Sequence, residues 1–180
     1  MPLAAPLDRL DEPSCPTTHG TVAPDRVALA EGVLGATLAL RHAGVQRVNL
    51  RWRLVGADGA PVHAVLGGIS ATRHVAAARD GEPDGWWQDQ VGPGRVFDLA
   101  RVRVLSFDWI GRDGTLDAPL DTRDQADALA VLLDHLGIAR LASIVGSSYG
   151  AMVGLAFAER HPALVERLVA ISGADRLHLL

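Results

Sequence analysis

Between Arg26 and Gly56, apolar residues recur at alternate positions in three short segments, RVALAEG, TLALRHAG and VNLRWRLVG, each ending in glycine. That period, with glycine punctuation, predicts the strands of an antiparallel ribbon. Residues 62–66 form another apolar strand, closed by Gly67 and Gly68. The following GGISATRH is a glycine-containing loop, either a simple turn or a backbone segment able to bind an anion. A polar linker and a helix are expected next, with Trp86 and Trp87 packing under the candidate site. Residues 102–107 read as a strand ending at Asp108. It alternates at first and is apolar on both faces from Leu105, as in a buried parallel strand.

Residues 122–136 give the clearest helical pattern. Thr122 is the expected N-cap and Asp124 favours the first turn. Ala126, Leu129, Ala130, Leu133 and Leu136 share one face, and Gly137 supplies the stop. Residues 141–145 form a short apolar strand, residues 151–159 a buried helix ending at His161-Pro162, and residues 167–172 one more parallel-type strand. Strands alternating with helices imply right-handed crossovers. The expected fold is therefore α/β, a mostly parallel sheet with helices on both faces. Prolines at positions 2, 6, 13, 16 and 24 mark residues 1–25 as an irregular arm, leaving residues 26–180 as the folded domain.

Composition narrows the classes. At 180 residues with 48% hydrophobic content, the chain is long enough for one real core. A net charge of −4 gives no electrostatic case for nucleic acid. All 17 basic residues other than histidine are arginine. Cys15 is the sole cysteine and lies in the proline-rich arm, so neither an intrachain disulfide nor a cysteine metal site is expected. No apolar run approaches the roughly 18 residues that span a bilayer. The N-terminus lacks a basic segment followed by an apolar one, and the expected location is cytoplasmic.

One stretch carries chemistry. Gly146-Ser147-Ser148-Tyr149-Gly150 is a G-x-S-x-G pattern set between a strand and a helix, the context a nucleophile elbow requires. Gly146 and Gly150 leave room around a serine lifted from a tight turn. The N–H of Tyr149, at the helix N-terminus, points toward charge developing on an attacked carbonyl. The plainer alternative is ordinary turn chemistry, since Ser and Gly are common at such junctions. A catalytic Ser148 also needs a histidine oriented by a carboxylate. Downstream, the only candidates are Glu159, His161, Glu166, Asp175 and His178. Glu159 and His161 stand at the far end of the helix, roughly 15 Å or more away. Asp175 and His178 follow the last strand directly, so neither is expected to serve. The triad Asp and His are not expected within this chain.

Several segments, in order, resemble the homoserine O-acyltransferases, a branch of the α/β-hydrolase superfamily. HAVLGGIS resembles the family's strand and oxyanion loop, GWWQDQVGPGRVFD its Trp-Trp and Gly-Pro-Gly segment, and VRVLSFDWIG the next strand. The stretch from DQADALAVLLDHLGIARLASIVGSSYGAM to LVAISGA resembles its helix, elbow and following strand. The match runs over about residues 26–174, and the Trp-Trp segment is its most specific part.

The resemblance implies the N-terminal part of an α/β-hydrolase domain, stopping before the last strands and the lid. It implies transfer of an acetyl or succinyl group from acyl-CoA to the hydroxyl of L-homoserine through an acyl-serine, in methionine biosynthesis. Ser148 would be the nucleophile, with N–H groups of Tyr149 and of Leu66 or Gly67 forming the oxyanion hole. No metal or resident cofactor is implied; acyl-CoA is the co-substrate. The elbow departs from the family's usual Gly-Gly-Ser-Met-Gly-Gly-Met, reading Gly-Ser-Ser-Tyr-Gly-Ala-Met here. A threonine of the family's oxyanion loop aligns with Gly67. Acetyl or succinyl donor, and homoserine or serine acceptor, stay open. So do a serine hydrolase using water and a non-catalytic relative lacking the base. No nucleic-acid or membrane partner is expected. An open sheet edge would favour aggregation or pairing, including a homodimer.

Overall fold

The computed structural model describes residues 27–174. A hairpin opens the chain: β1 (Ala28–Leu40) pairs antiparallel with β2 (Gly44–Gly56) along its whole length, from Ala28 opposite Gly56 to Leu40 opposite Gly44. Two long strands therefore replace the three segments expected. Gly32 ends no strand; it lies inside β1, where a Cβ would stand 3.1 Å from the Trp52 indole. The glycine makes room for a large cross-strand partner rather than marking a turn. Along β2, Val48, Leu50, Trp52 and Leu54 are buried while Arg47, Asn49 and Arg51 face out, the period-2 signature of a half-covered sheet.

Among the described residues, four further strands join the sheet: β3 (Val62–Leu66), β4 (Arg103–Phe107), β5 (Ser143–Ser147) and β6 (Leu168–Ile171). The order is β1-β2-β4-β3-β5-β6. β4 is antiparallel to β2, whereas β3–β4, β3–β5 and β5–β6 are parallel. The sheet is thus mostly parallel, as expected. β5 starts two residues later than the apolar run: Leu141 is fully buried but meets the sheet only as an isolated bridge to Val165.

Two helices join these strands. Helix α1 (Thr122–His135) lies between β4 and β5, and helix α2 (Tyr149–Arg160) between β5 and β6. The N-cap of α1 is Asp121, not Thr122. Asp121 accepts from the Arg123 N–H at 2.9 Å, and Asp124 accepts from the Asp121 N–H at 2.8 Å, a reciprocal capping box. Gly137 takes a positive φ of 65° just beyond the helix end. Ala126, Leu129 and Leu133 are buried as the helical face predicted, joined by Ala128 and Leu132.

Among the described residues, helices do not cover both faces. α1 and α2 pack against each other and share one core with Leu50, Leu66, Leu105 and Phe107. The reason lies in the strand order. From β3 the chain steps outward to β4, then reverses and passes β3 to reach β5 and β6. Right-handed crossovers then place α1 and α2 on one face and the β3–β4 link on the other. That link, residues 67–102, holds a single 3₁₀ turn, Gln88–Gln90, where a helix was expected. Its backbone instead folds on itself: the N–H groups of Trp86 and Trp87 donate to the carbonyls of His74 and Val75 at 3.2 and 2.9 Å. Gly85 lies so close to the Val75 backbone that no Cβ fits there. Trp86 and Trp87 stack at 5.4 Å and, with Val75, Val91 and Phe97, cover Val65 and Val104 of the sheet. No helix in the described residues is long and apolar enough to cross a membrane.

One buried charge anchors the link. Arg53 of β2 is only 2% exposed, and its Nη2 donates to both carboxylate oxygens of Glu82 at 2.8 and 2.6 Å. The N–H of Ala78 also donates to Glu82. That backbone bond, then the Arg53 guanidinium, holds the Glu82 carboxyl down at about 2, from an ordinary value of 4.5. A depressed carboxylate binds fewer protons folded than unfolded. Its contribution is complete above pH 4.5 and is lost as pH falls toward 2. Glu82→Gln is expected to lower the melting temperature at pH 7, with the gap to the parent closing between pH 4.5 and 2 in a melting series. A gap unchanged over that range would show that the ion pair adds nothing to stability.

Candidate active site

The reversal in strand order occurs at β3, so a crevice opens outside the carboxyl ends of β3 and β5, where ligands bind in open α/β sheets. Ser148 sits there. It is the residue between β5 and α2, and its backbone takes φ 52° and ψ −116°, a conformation L-residues rarely adopt. Such strain persists only where the surroundings over-determine it. Here they do. The Ser148 N–H donates to Ile171 at 2.9 Å, while its carbonyl accepts from Ala151 and Met152 at 3.0 and 3.2 Å. Below the turn, a Cβ on Gly146 would strike the Gly150 carbonyl, and one on Gly150 would strike the carbonyls of Leu66 and Gly67.

The turn is thereby bolted to the end of β3. The Gly150 N–H donates to the Gly67 carbonyl at 2.9 Å. The next residue, Gly68, faces the serine: a Cβ built on it would lie 4.0 Å from the Ser148 Cβ. Two tryptophans hold this loop. Trp86 lies against Gly67 and donates its Nε1–H to Thr72 at 2.8 Å; Trp109, just after β4, donates its Nε1–H to the Gly68 carbonyl at 3.0 Å. The Tyr149 ring meets Trp109 edge-to-face at 5.0 Å. Burial pushes the Tyr149 hydroxyl above its ordinary value, opposed by a hydrogen bond with Gln125. The side chain of Tyr149 thus packs inward, while its N–H is one of the free first-turn donors of α2.

The structure brings Ser148, Tyr149, Leu66, Gly67, Gly146 and Gly150 together, all named from sequence. Sequence reasoning placed Gly68 in the glycine-containing loop without pairing it with the serine, and gave Trp109 no role. Trp109 stands directly after a strand that ends at the ligand edge, and that position was its signal.

No described carboxylate or histidine hydrogen-bonds the Ser148 hydroxyl. Glu159 pairs with Arg123, His161 with Asp127 at 2.9 Å, and Glu166 with Arg140. Asp175 and His178 lie outside the described residues. His63 bonds Ser143 Oγ at 2.7 Å, at the opposite end of β3 and β5 from the crevice.

The family model for the alpha/beta hydrolase fold matches residues 75–179, more than half of the chain. The chain belongs to the α/β-hydrolase family. A homoserine O-succinyltransferase from Xanthomonas campestris is 54% identical over 166 residues, covering 90% of this chain and 45% of that protein. A serine O-succinyltransferase from the same species is 34% identical over 140 residues, covering 68% of this chain and 37% of that protein. The chain thus spans less than half the length of these relatives. The crystal structure of homoserine O-acetyltransferase from Staphylococcus aureus superposes with a TM-score of 0.74 at 21% identity, covering 84% of this chain and 49% of that one. At that identity the likeness establishes the α/β-hydrolase fold.

Proposed function

We propose that this α/β-hydrolase chain carries the acyl-accepting serine of a homoserine O-acyltransferase, with Ser148 at the apex of a nucleophile elbow. The observation carrying the reading is 54% identity to a homoserine O-succinyltransferase over 90% of the chain. Ser148 Oγ attacks the thioester carbonyl, giving up its proton to a base, and the C–S bond breaks to release CoA. The hydroxyl of L-homoserine then attacks the acyl-serine, and O-acylhomoserine leaves as Oγ regains a proton. The oxyanion of each step is held by the N–H of Tyr149 and that of Leu66 or Gly67, donors fixed before the reaction begins. The base lies outside the set of described residues bonded to Ser148.

Succinyl-CoA is the favoured donor, because both relatives above bear succinyltransferase names. Homoserine is favoured over serine by the higher identity of its relative. The pathway would be methionine biosynthesis and the compartment the cytoplasm. The test is CoA release from succinyl-CoA and from acetyl-CoA, each with homoserine, with serine and with neither. Release that needs homoserine and is faster with succinyl-CoA supports the whole reading. Release indifferent to any amino acid would mean that water is the acceptor and the protein a hydrolase.

A further inference from the structure

Beside the crevice lies a second cavity, of about 210 Å³, lined by Arg51, Arg73, Arg112, Asn49 and Trp109 with Asp108 and Asp113. It shares a wall with the serine site: Trp109, whose Nε1–H holds the Gly68 carbonyl, separates the two. Arg112 ties the cavity to the same loop, donating from Nη1 to the Ser70 carbonyl at 3.0 Å.

The charges are unevenly satisfied. Both oxygens of Asp108 are taken by Arg73, at 2.8 Å from its N–H and 2.6 Å from Nη1. Asp113 Oδ1 is taken by the N–H and hydroxyl of Thr115, at 3.1 and 2.7 Å. Arg51 and Arg112, unlike Arg73 in the same cavity, have no carboxylate within 4.0 Å among the described residues, although, after the Thr115 bonds, the Arg51 charge is near enough to help hold the Asp113 carboxyl below its ordinary value. Two guanidinium groups with spare donors, and an Asn49 amide, therefore face a water-accessible hollow next to the proposed nucleophile. Guanidinium forks suit planar or tetrahedral oxyanions, and such bonds are roughly twice as strong as neutral ones.

We propose that this cavity binds an anionic group of the acyl donor, through Arg51 and Arg112. The inference rests on the acyl-CoA reading above and deepens it. Two parts of a donor carry that chemistry: the free carboxylate of a dicarboxylic acyl group and the phosphates of CoA.

Arg51→Gln and Arg112→Gln remove the charge and keep a polar chain. Both side chains are exposed and lack a carboxylate partner, so melting temperature should not move for Arg51→Gln and should fall only slightly for Arg112→Gln, which loses its exposed hydrogen bond to Ser70. For either variant, the KM for succinyl-CoA is expected to rise about tenfold or more. If the carboxylate is the ligand, the KM for acetyl-CoA stays put; if phosphate is, both rise together. Unchanged KM for both donors in both variants would overturn the proposal. Equilibrium binding separates this from failure of the functional reading. Calorimetry with succinate and with CoA, in the absence of turnover, should show one of them binding the parent chain and losing affinity in both variants. Absence of CoA release with such binding intact would sink the acyltransfer step and leave the cavity standing. Neither probe binding the parent would sink the cavity whatever the turnover.

Discussion

Ser148→Ala is expected to abolish CoA release while leaving the fold unchanged. The two halves of that expectation have separate causes. The hydroxyl makes no hydrogen bond with a described histidine or carboxylate, so losing it strands no partner in the core. The φ of 52° stays as hard for alanine as for serine, so the strain is about the same before and after. Melting temperature should therefore shift little. For chemistry the residue is irreplaceable under the proposed route, because no acyl-enzyme forms without Oγ. Loss of an activated serine elsewhere costs about 10⁶-fold in kcat, and an effect on that order is expected. Two readouts check it: CoA release with homoserine, and the mass of the protein after exposure to succinyl-CoA alone. The parent should gain one succinyl group and the alanine variant none. A variant that still acylates, or still releases CoA at more than a few per cent of the parent rate, would remove Ser148 from the role.

How far this arrangement was readable beforehand depends on the range of the interactions involved. The turn at Ser148 was legible because its causes are local. An apolar run, two glycines at fixed offsets and an Ala-rich helix lie within about twenty residues, and each carries its own structural preference. The helix at residues 122–135 was legible for the same reason, although its cap lay one residue earlier, at Asp121. What could not be read was set by partners distant in sequence. Gly32 looked like a strand end until Trp52 proved to lie across from it. The covering of the second sheet face depends on the reversal at β3, which is a fact of strand order and leaves no mark on the periodicity of residues 67–102. Trp109 and Gly68 meet across 41 positions, and Arg53 reaches Glu82 across 29. Such pairs leave no pattern in a single sequence. The cavity at Arg51 and Arg112 belongs to the same class.

Gly150→Ala should then be far more damaging than the single methyl group it adds would suggest. The new Cβ would overlap the carbonyls of both Leu66 and Gly67, which are backbone atoms and cannot swing aside. Either β3 or the N-terminus of α2 must move, and the 2.9 Å bond from Gly150 to the Gly67 carbonyl stretches with it. Overpacking of this kind costs about 1–3 kcal/mol, and a backbone clash belongs at the top of that range. For a domain of this size, about 3 kcal/mol lowers the melting temperature by roughly 6–12 °C. Activity should fall further than stability. The displaced parts are the two walls that position the oxyanion donors, and about 1 Å of misplacement can cost 10²-fold. Gly154→Ala is the control on the same helix. Its Cβ would meet only side-chain ends, Leu168 Cδ1 at 2.7 Å and Ile144 Cγ2 at 3.1 Å, which rotate or shift. Alanine also gains about 1 kcal/mol over glycine in a helix interior, offsetting the crowding. Thermal melts and CoA release on both variants decide the matter. Gly154→Ala should resemble the parent and Gly150→Ala should lose both stability and turnover. Equal behaviour of the two would mean that the contact between α2 and the end of β3 does not hold the site in shape.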